Sequence, residues 1–329
     1  MRIVIPDDWN GAYEASPLVQ GLRKRGVLVI LHDRSADVAA ELRQADVAVA
    51  LRERTKYLAP ALAQMPNLKM IASVGGPVNA AIDLEAATSR GIVVSCTVSS
   101  GGPPDTAGPA SMVELTIGMM IATMREFAQQ DRILHAGSWP SPQGRILHGK
   151  RLGIVDLGRL GSSVAKAAQF FGMHVAAAGK TLTAERAEKA GVEFTDLDTL
   201  FAESDVVSIH LKLTESTRGM VDGRLLGRMK PEAVLINTSR GPVLDSAALV
   251  DVLNAGRIKG AALDVYDEEP LPADDPLRGC ERLLMLGHCG WPTDGNFERM
   301  IPASVAAIEA FLDGKPINMV NPQALAVQR

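Results

Sequence analysis

The stretch Gly153–Gly161, GIVDLGRLG, has the pattern of a β-strand that runs into a glycine-rich turn and then into a helix. In the dinucleotide-binding form of this pattern, G-x-G-x-x-G, the second glycine lets the backbone approach a pyrophosphate and the third lets the helix pack closely on the strand. Gly158 and Gly161 hold these two places. The helix that follows would direct its free N–H groups at the phosphates. The pattern predicts a βαβ unit, which is either a nucleotide site or a purely structural turn.

Asp156 stands where the first glycine of this pattern is expected. Aspartate is among the few residues other than glycine that tolerate a positive φ, so we expect the turn to form. The Asp156 side chain could cap the helix that begins near Arg159. Its carboxylate would also lie close to a bound diphosphate and repel it by roughly 1–4 kcal/mol. The sequence therefore predicts cofactor binding that is looser than with glycine at this position.

The end of the next strand bears on the choice between NAD and NADP. An acidic residue about 20 residues after the glycine-rich turn usually binds the ribose hydroxyls of NAD. Counting forward leads to Ala178, Gly179 and Lys180, none of which is a carboxylate. A carboxylate would repel the 2′-phosphate of NADP, whereas a lysine would attract it. The sequence therefore predicts that NADP is at least as suitable as NAD.

Short apolar runs alternate with helical patterns on both sides of the turn. Near-continuous apolar strands separated by helices indicate parallel sheets covered on both faces, so we expect two doubly wound α/β units. The predicted strands are Arg2–Ile5, Val27–Leu31, Asp46–Leu51, Lys69–Val74, Ile92–Cys96, Arg151–Asp156, His174–Ala178, Asp205–His210, Ala233–Thr238, Gly260–Val265 and Leu283–Leu286.

A Gly/Pro-rich segment, Ser99–Pro109, separates the two series of strands. The sequence after it predicts one long helix, Ser111–His135, that is apolar on most of its circumference and is therefore buried on several sides. This helix is either part of a core or part of a subunit interface, because large apolar faces are commonly buried between protomers. A last helix is predicted over Asn296–Leu312.

Length and composition exclude several classes of protein. A chain of 329 residues favours two domains, and a formal net charge of −4 argues against nucleic acid as a partner. The three cysteines lack metal-site spacing and are odd in number, which indicates a reducing compartment. The N-terminus shows no signal-peptide pattern, and the most apolar helix, Leu115–Met124, is too short to span a bilayer. We therefore expect a soluble, cytoplasmic protein without a metal.

Three segments in the second half each follow a predicted strand: VLINTSRGPVLD (234–245), GAALDVYDEEP (260–270) and LGHCGWPT (286–293). Because ligands of open α/β folds bind at the carboxyl ends of the strands, we expect Arg240, Glu269 and His288 to lie at one edge of the sheet. Each residue alone has a structural interpretation as a surface ion pair, a solvated glutamate or an incidental histidine. Their convergence at one edge favours a functional site.

These segments, together with GGPVNAAID (Gly75–Asp83) and HLKLTESTRGMV (His210–Val221), resemble the D-isomer-specific 2-hydroxyacid dehydrogenases over essentially the whole chain. The resemblance implies a Rossmann-type dinucleotide-binding domain over residues 101–295. It also implies a discontinuous flavodoxin-like substrate domain over residues 1–100 plus 296–329. The expected activity is hydride transfer between NAD or NADP and a small 2-oxo or D-2-hydroxy acid, in a homodimer built by the long helix.

The resemblance also assigns roles to individual residues. Arg240 would hold the carboxylate and carbonyl of the substrate, His288 would donate the proton, and Glu269 would orient the imidazole of His288. The other expected substrate contacts, beside Arg240 and His288, are the backbone N–H groups of Val74, Gly75 and Gly76. The expected cofactor contacts are Gly158, Arg159, Leu160, Gly161, Gly179, Lys180, Lys212, Thr217, Thr238, Arg240, Asp264, His288 and Gly290.

The chain departs from the family pattern at several positions. Asp156 replaces a glycine, Gly179 replaces an acidic residue, Lys212 occupies a common proline position, and Gly287 stands where proline often precedes the histidine. The connection Ser99–Pro109 is also longer than usual. The intact set of three catalytic residues favours an enzyme. The aspartate in the turn favours the alternative, a nucleotide-binding pseudoenzyme or corepressor-like scaffold on the same fold.

Overall fold

A computed structural model describes residues 1–32, 38–51, 54–75, 81–97, 107–139 and 143–327 of the chain. The chain divides into two units, Met1–Asp105 with Thr293–Arg329, and Thr106–Pro292. Each unit contains one parallel sheet, which confirms the predicted fold class. Gly76 and most of the Gly/Pro-rich segment lie outside the described residues. Within the described ranges, no helix is long and apolar enough to cross a membrane.

The first unit has a five-stranded parallel sheet with the order β2-β1-β3-β4-β5, which is the flavodoxin-like order. β3 and β4 are buried along their whole length, as expected for a parallel sheet with both faces covered. The strands are β1 (Arg2–Ile5), β2 (Val27–Ile30), β3 (Val47–Leu51), β4 (Met70–Val74) and β5 (Val93–Cys96). The helices are α1 (Pro17–Gly21), α2 (Val38–Arg43), α3 (Ala59–Leu62) and α4 (Leu84–Ser89).

The second unit has a seven-stranded parallel sheet with the order β12-β11-β10-β9-β6-β7-β8. Counted within the unit, this is the Rossmann order 3-2-1-4-5-6 with one more strand at the edge. The strands are β6 (Arg151–Val155), β7 (His174–Ala178), β8 (Glu193–Phe194), β9 (Val206–Ile209), β10 (Val234–Asn237), β11 (Gly260–Leu263) and β12 (Leu283–Met285). The helices are α5 (Ala107–Met124), α6 (Phe127–His135), α7 (Arg159–Phe170), α8 (Ala184–Lys189), α9 (Leu197–Glu203), α10 (Gly223–Leu226) and α11 (Ser246–Asn254).

Alternate residues of the central strands enter two separate hydrophobic clusters. Leu235 of β10 packs in a cluster that includes Phe201 of α9 and Leu249 of α11. Its neighbours Val234 and Ile236 belong to a second cluster, formed with buried residues of α5, α7 and α8. Because successive side chains of a strand point to opposite faces, helices cover the sheet of the second unit on both faces.

The helix α12 (Asp294–Leu312) brings the end of the chain back to the first unit, and it begins two residues before its predicted start. Tyr13 forms a buried hydrogen bond with Ser304 of this helix, with an oxygen–oxygen distance of 3.2 Å. Beyond α12, the buried Asn321 accepts a hydrogen bond from the N–H of Val94 at 2.7 Å and donates to the carbonyl of Ile92 at 2.9 Å. These bonds hold the C-terminal segment beside β5.

The single helix predicted over Ser111–His135 is wrong, because two helices, α5 and α6, occupy this range. Glu126 lies between them in the left-handed region with a φ of 55°, and its carboxylate is 2.7 Å from the ammonium of Lys259. Neither glycine nor proline stands beside Glu126, so the sequence carries no local signal of the break. Met119 and Met120 of α5 are buried, whereas every residue of α6 is at least partly exposed. The predicted burial therefore applies to α5 alone.

Gly161 lies where α7 packs against β6. A Cβ at this position would lie 2.5 Å from the carbonyl oxygen of Asp156 and 3.2 Å from Cγ2 of Ile154. The first of these atoms belongs to the backbone of the turn and cannot rotate away as a flexible side chain could. The third glycine of the turn therefore has the packing role that the sequence predicts.

We expect Gly161→Ala to lower the free energy of unfolding by about 1–3 kcal/mol, because the added methyl group forces α7 away from the turn. Gly279→Ala is a suitable control, since among the described residues no atom lies within 4 Å of a Cβ built there. The control should change stability by less than about 0.5 kcal/mol. Urea denaturation of both variants tests this. Equal stability of the two variants would show that the turn can move enough to accommodate the added methyl group.

Candidate active site

The glycine-rich turn connects β6 to α7. Asp156 has a φ of 73°, which is the left-handed conformation that aspartate tolerates. Its N–H donates to the carbonyl of Ala178 at 2.8 Å, which ties the turn to the end of β7. The helix begins at Arg159 as predicted, with Gly158 at the N-cap. The predicted cap by Asp156 is wrong, because no side chain of the described residues caps this helix.

The geometry of the turn fits a dinucleotide. The nearest atom to a Cβ built on Gly158 would be Oδ2 of Asp156, at 3.9 Å, so the space over the turn is open. The first N–H groups of an α-helix have no partner within the helix, and together with the helix dipole they attract phosphate. Arg159, at the first helical position, is exposed and adds positive charge.

Gly179 and Lys180 follow β7 on the other side of the turn. A Cβ on Gly179 would lie 3.3 Å from Oδ1 of Asp156. The ammonium of Lys180 donates to the carbonyl of Ser216 at 2.7 Å. Burial raises the pKa of Asp156, and the positive charge of Arg186 offsets part of this rise. The two departures from the family pattern, at positions 156 and 179, are therefore neighbours in space.

The three candidate catalytic residues follow three neighbouring strands. β10 pairs with β11 and β11 pairs with β12, in each case in parallel. Arg240, Glu269 and His288 come after these strands in that order. Parallel strands that are neighbours end at the same edge of the sheet, so the loops that carry these residues lie side by side.

His288 and Glu269 form a hydrogen-bonded pair. Nδ1 of His288 is 2.5 Å from Oε2 of Glu269, and the two side chains are 24% and 35% exposed. The other carboxylate oxygen of Glu269 accepts from the N–H of Tyr266 at 3.0 Å. His288 has a φ of 56°, a conformation that costs a residue other than glycine about 1–3 kcal/mol and persists only where its surroundings impose it.

Asp264 imposes this conformation on the loop that carries His288. Its carboxylate is fully buried and accepts from the N–H of Cys289 at 2.7 Å and from the N–H of Gly290 at 3.1 Å. A Cβ on Gly290 would lie 2.6 Å from the sulfur of Met112, so the loop packs closely on the side chains of α5. Sequence reasoning proposed Asp264 as a cofactor contact, whereas the structure shows both of its oxygens holding the His288 loop.

Tyr266 joins the loops after β11 and β12. Its hydroxyl donates to the carbonyl of Leu286 at 2.7 Å, while its own N–H holds Glu269. Burial and the nearby charge of Asp264 raise the pKa of Tyr266 to about 12, so the hydroxyl remains a donor. Sequence reasoning missed this residue, because its partners are brought close only by the pairing of the strands.

Asn237 fixes the loop that carries Arg240. Its Oδ1 accepts from the N–H of Ser239 at 3.0 Å, and its Nδ2 donates to the carbonyl of Arg240 at 3.2 Å. A Cβ on Gly241 would lie 2.0 Å from the carbonyl carbon of Tyr266, so the loop after β10 packs directly on the loop after β11. Sequence reasoning also missed Asn237, although a polar residue at the end of an apolar strand was a usable signal.

The remaining predicted cofactor residues with polar side chains follow β9 and β10. Thr217 is buried and donates to the carbonyl of Lys212 at 2.7 Å. The hydroxyl of Thr238 is 3.2 Å from the hydroxyl of Thr116. His210, which sequence reasoning did not single out, pairs with Ser208 at 2.9 Å, and burial lowers its pKa to about 4. It is therefore neutral at pH 7.

The predicted substrate loop belongs to the first unit. Val74 is buried at the end of β4, and Gly75 has a φ of 131°. The N–H of Gly75 donates to the hydroxyl of Thr97 at 2.8 Å. This hydrogen bond would have to open before Gly75 could bind a carboxylate. Gly76 lies outside the described residues.

The chain is similar to the sequences and structures of one family. The family model described as "D-isomer specific 2-hydroxyacid dehydrogenase, NAD binding domain" matches residues 117–290. A glyoxylate reductase of Thermofilum pendens is 38% identical over 277 residues, which cover 80% of this chain and 78% of the relative. A structure of a phosphoglycerate oxidoreductase from Vibrio cholerae O395 aligns with a TM-score of 0.86 and 30% identity, covering 95% of this chain and 99% of that one.

One relative is considerably longer than this chain. A D-3-phosphoglycerate dehydrogenase of Archaeoglobus fulgidus is 37% identical over 242 residues, which cover 73% of this chain and 44% of the relative. The chain therefore spans less than half the length of that relative.

Replacing Asp264 tests its role as the support of the His288 loop. Asp264→Asn puts an amide donor where an acceptor faced a backbone N–H, and leaving a buried donor unpaired costs about 1–3 kcal/mol. We expect faster hydrogen exchange at Cys289 and Gly290 and a lower melting temperature. Glu268→Gln, at an exposed position after the same strand, is the matched control. Unchanged exchange in Asp264→Asn would contradict the assigned role.

Proposed function

Since the chain belongs to the D-isomer-specific 2-hydroxyacid dehydrogenase family, we propose that it transfers a hydride between a nicotinamide cofactor and a small 2-oxo acid or D-2-hydroxy acid. The hydrogen bond between Glu269 and His288 carries this proposal, because it positions an acid–base group. This group lies at the edge of the sheet from which the Arg240 loop also emerges. The pair favours an enzyme over the alternative of a nucleotide-binding scaffold, which does not require an acid–base group.

The cofactor would bind at the carboxyl edge of the seven-stranded sheet. Reduced nicotinamide supplies the hydride when it is bound. Gly158, Gly161 and the first turn of α7 would hold the pyrophosphate, with Arg159 and Leu160 beside it. The residues proposed for the rest of the cofactor are Gly179, Lys180, Lys212, Thr217, Thr238, Arg240, Asp264, His288 and Gly290.

His288 would move the proton. Its Nδ1 is engaged by Glu269, so proton exchange with the substrate oxygen falls to Nε2. In reduction the charged imidazole donates a proton to the oxygen of the former carbonyl, and in oxidation the neutral imidazole accepts it. The carboxylate of Glu269 stabilises the charged imidazole and fixes its orientation.

Arg240 would hold the substrate. Its planar guanidinium can donate to the carboxylate and to the neighbouring carbonyl oxygen of a 2-oxo acid at the same time, which a lysine cannot do. Asn237 accepts from the N–H of Ser239 and donates to the carbonyl of Arg240, and Gly241 packs on Tyr266, so the backbone is held on both sides of Arg240. The backbone of residues 74–76 remains the predicted second contact for the carboxylate.

We assign the cofactor to residues 101–295 and the substrate loop to a domain made of residues 1–100 and 296–329. The division of the chain into its two units supports these limits, since it falls within five residues of each. A homodimer and a cytoplasmic location remain predictions, which rest on the resemblance and on the composition.

A substrate panel tests the proposed function. We expect the purified protein at micromolar concentration to oxidise NADH or NADPH with at least one 2-oxo acid, of which glyoxylate and hydroxypyruvate should be tried first. Absorbance at the nicotinamide band follows the reaction, and reaction without protein is the blank. Cofactor binding without turnover of any 2-oxo acid would instead support the scaffold alternative.

His288→Ala should lower turnover by about 100-fold or more, the usual range for loss of a general acid. Glu269→Gln removes the carboxylate that holds Nδ1 of His288, so kcat should fall in this variant as well. His174→Ala, at the exposed start of β7, is the control. A variant at position 288 that keeps most of its activity would exclude His288 as the proton donor.

Arg240→Lys keeps the charge but loses the planar guanidinium that can donate two parallel hydrogen bonds, so KM should rise and kcat should fall together. Steady-state kinetics with the best 2-oxo acid measures both constants. Arg228→Lys, at an exposed arginine that pairs with Asp198, is the control and should leave both unchanged. Normal kinetics in Arg240→Lys would remove Arg240 from the site.

A further inference from the structure

Two departures from the dinucleotide-binding pattern are complementary. In the usual arrangement, a glycine opens the turn and a carboxylate stands at the end of the second strand. This chain has the carboxylate in the turn, at Asp156, and the glycine at the end of the strand, at Gly179. The chain therefore retains one carboxylate in this pair of positions, but it is on the residue of the turn instead of the residue at the end of the strand.

The two positions share one space. A Cβ on Gly179 would lie 3.3 Å from Oδ1 of Asp156 and 3.4 Å from its Cα. The hydrogen bond from the N–H of Asp156 to the carbonyl of Ala178, at 2.8 Å, holds the two backbones at this separation. The Cβ of an acidic side chain at position 179 would thus be in contact with the carboxylate of Asp156. The site accommodates a carboxylate on one of the two residues.

The carboxylate of Asp156 has unused hydrogen-bonding capacity. Among the described residues, its oxygens accept no hydrogen bond and form no ion pair. The nearby cations are engaged by carbonyl groups: Lys180 donates to Ser216 at 2.7 Å, and Arg186 donates to Leu157 at 3.2 Å. Burial raises the pKa of Asp156, which is the penalty expected for a half-buried carboxylate without donors.

We propose that Asp156 accepts the hydrogen bonds of the adenosine ribose hydroxyls in place of the residue at the end of β7, and that it thereby selects NAD over NADP. The inference rests on the proposed function, since it concerns the cofactor of that reaction. A pair of hydroxyls supplies the donors that the carboxylate lacks. The 2′-phosphate of NADP would bring negative charge against it instead.

Asp156 in this role reverses two expectations drawn from the sequence. The predicted suitability of NADP counted Gly179 as a missing carboxylate and did not count Asp156. The predicted repulsion of the diphosphate assumed that the carboxylate of Asp156 lies against the pyrophosphate. Oδ1 lies 3.3 Å from a Cβ built on Gly179 and is the oxygen that would accept from the ribose hydroxyls, whereas Oδ2 lies 3.9 Å from a Cβ built on Gly158.

A double-mutant cycle tests the exchange of positions. Dissociation constants of NADH and NADPH are measured by nicotinamide fluorescence for the parent protein, Asp156→Gly, Gly179→Asp and the double variant. The parent should bind NADH at least 10-fold more tightly than NADPH. Asp156→Gly should weaken NADH by roughly 10-fold or more, the range for losing hydrogen bonds to a charged group, and should abolish the preference.

The other members of the cycle make the test specific. Gly179→Asp alone crowds two carboxylates together and should also weaken NADH. The double variant restores the usual arrangement and should regain the parent's NADH affinity within about threefold, so the two changes are strongly non-additive. Asp156→Asn, which keeps the shape and loses the charge, should retain more NADH affinity than Asp156→Gly but should discriminate less against NADPH.

Misfolding does not explain the expected losses, because glycine adopts a φ of 73° more readily than aspartate and Asp156→Gly should be at least as stable as the parent. Tighter binding of both cofactors by Asp156→Gly would overturn the inference and support repulsion of the diphosphate. Unchanged affinities in a parent that binds NADH would also overturn it and leave the proposed function intact. A parent that binds neither cofactor would overturn both.

Discussion

Parallel pairing of the strands in the second unit is the constraint on which the candidate site depends. All seven strands run in one direction, so each loop that follows a strand emerges at the same edge of the sheet. The turn after β6, the end of β7 and the loops after β10, β11 and β12 are therefore neighbours. Chemistry that needs a phosphate site, an acid–base pair and an arginine can be assembled here from residues that are distant in sequence.

Buried polar groups convert this proximity into a defined geometry. Asn237 and Asp264 are both fully buried, and each uses its side chain to hold the backbone of a loop. An unpaired backbone donor in such a place costs about 1–3 kcal/mol, which is comparable to the cost of the left-handed conformation at His288. The hydrogen bonds of Asp264 can therefore keep the His288 loop in a conformation that it would not adopt alone. The Glu269–His288 pair depends on this support.

Periodicity and turn chemistry predicted what is local. The apolar runs marked eleven of the twelve strands, and the order of motifs placed Arg240, Glu269 and His288 after consecutive strands of one sheet. They missed β8, which has only two residues, and the break between α5 and α6, where neither glycine nor proline stands beside the left-handed Glu126. The hydrogen bonds around Tyr266 could not be predicted from the sequence, because strand pairing brings their partners together.

Asp156 shows how a motif and its physical requirement can separate. The tight turn of the G-x-G-x-x-G pattern requires a positive φ at its first position, and binding of the ribose hydroxyls requires a carboxylate nearby. Aspartate satisfies the first demand at a modest cost, since its short side chain tolerates the left-handed region. From that position it also reaches the space beside Gly179, so it can meet the second demand as well. Compared with the motif, the sequence lacks both the first glycine and the carboxylate at the end of the second strand. The structure nevertheless has the tight turn and one carboxylate beside it.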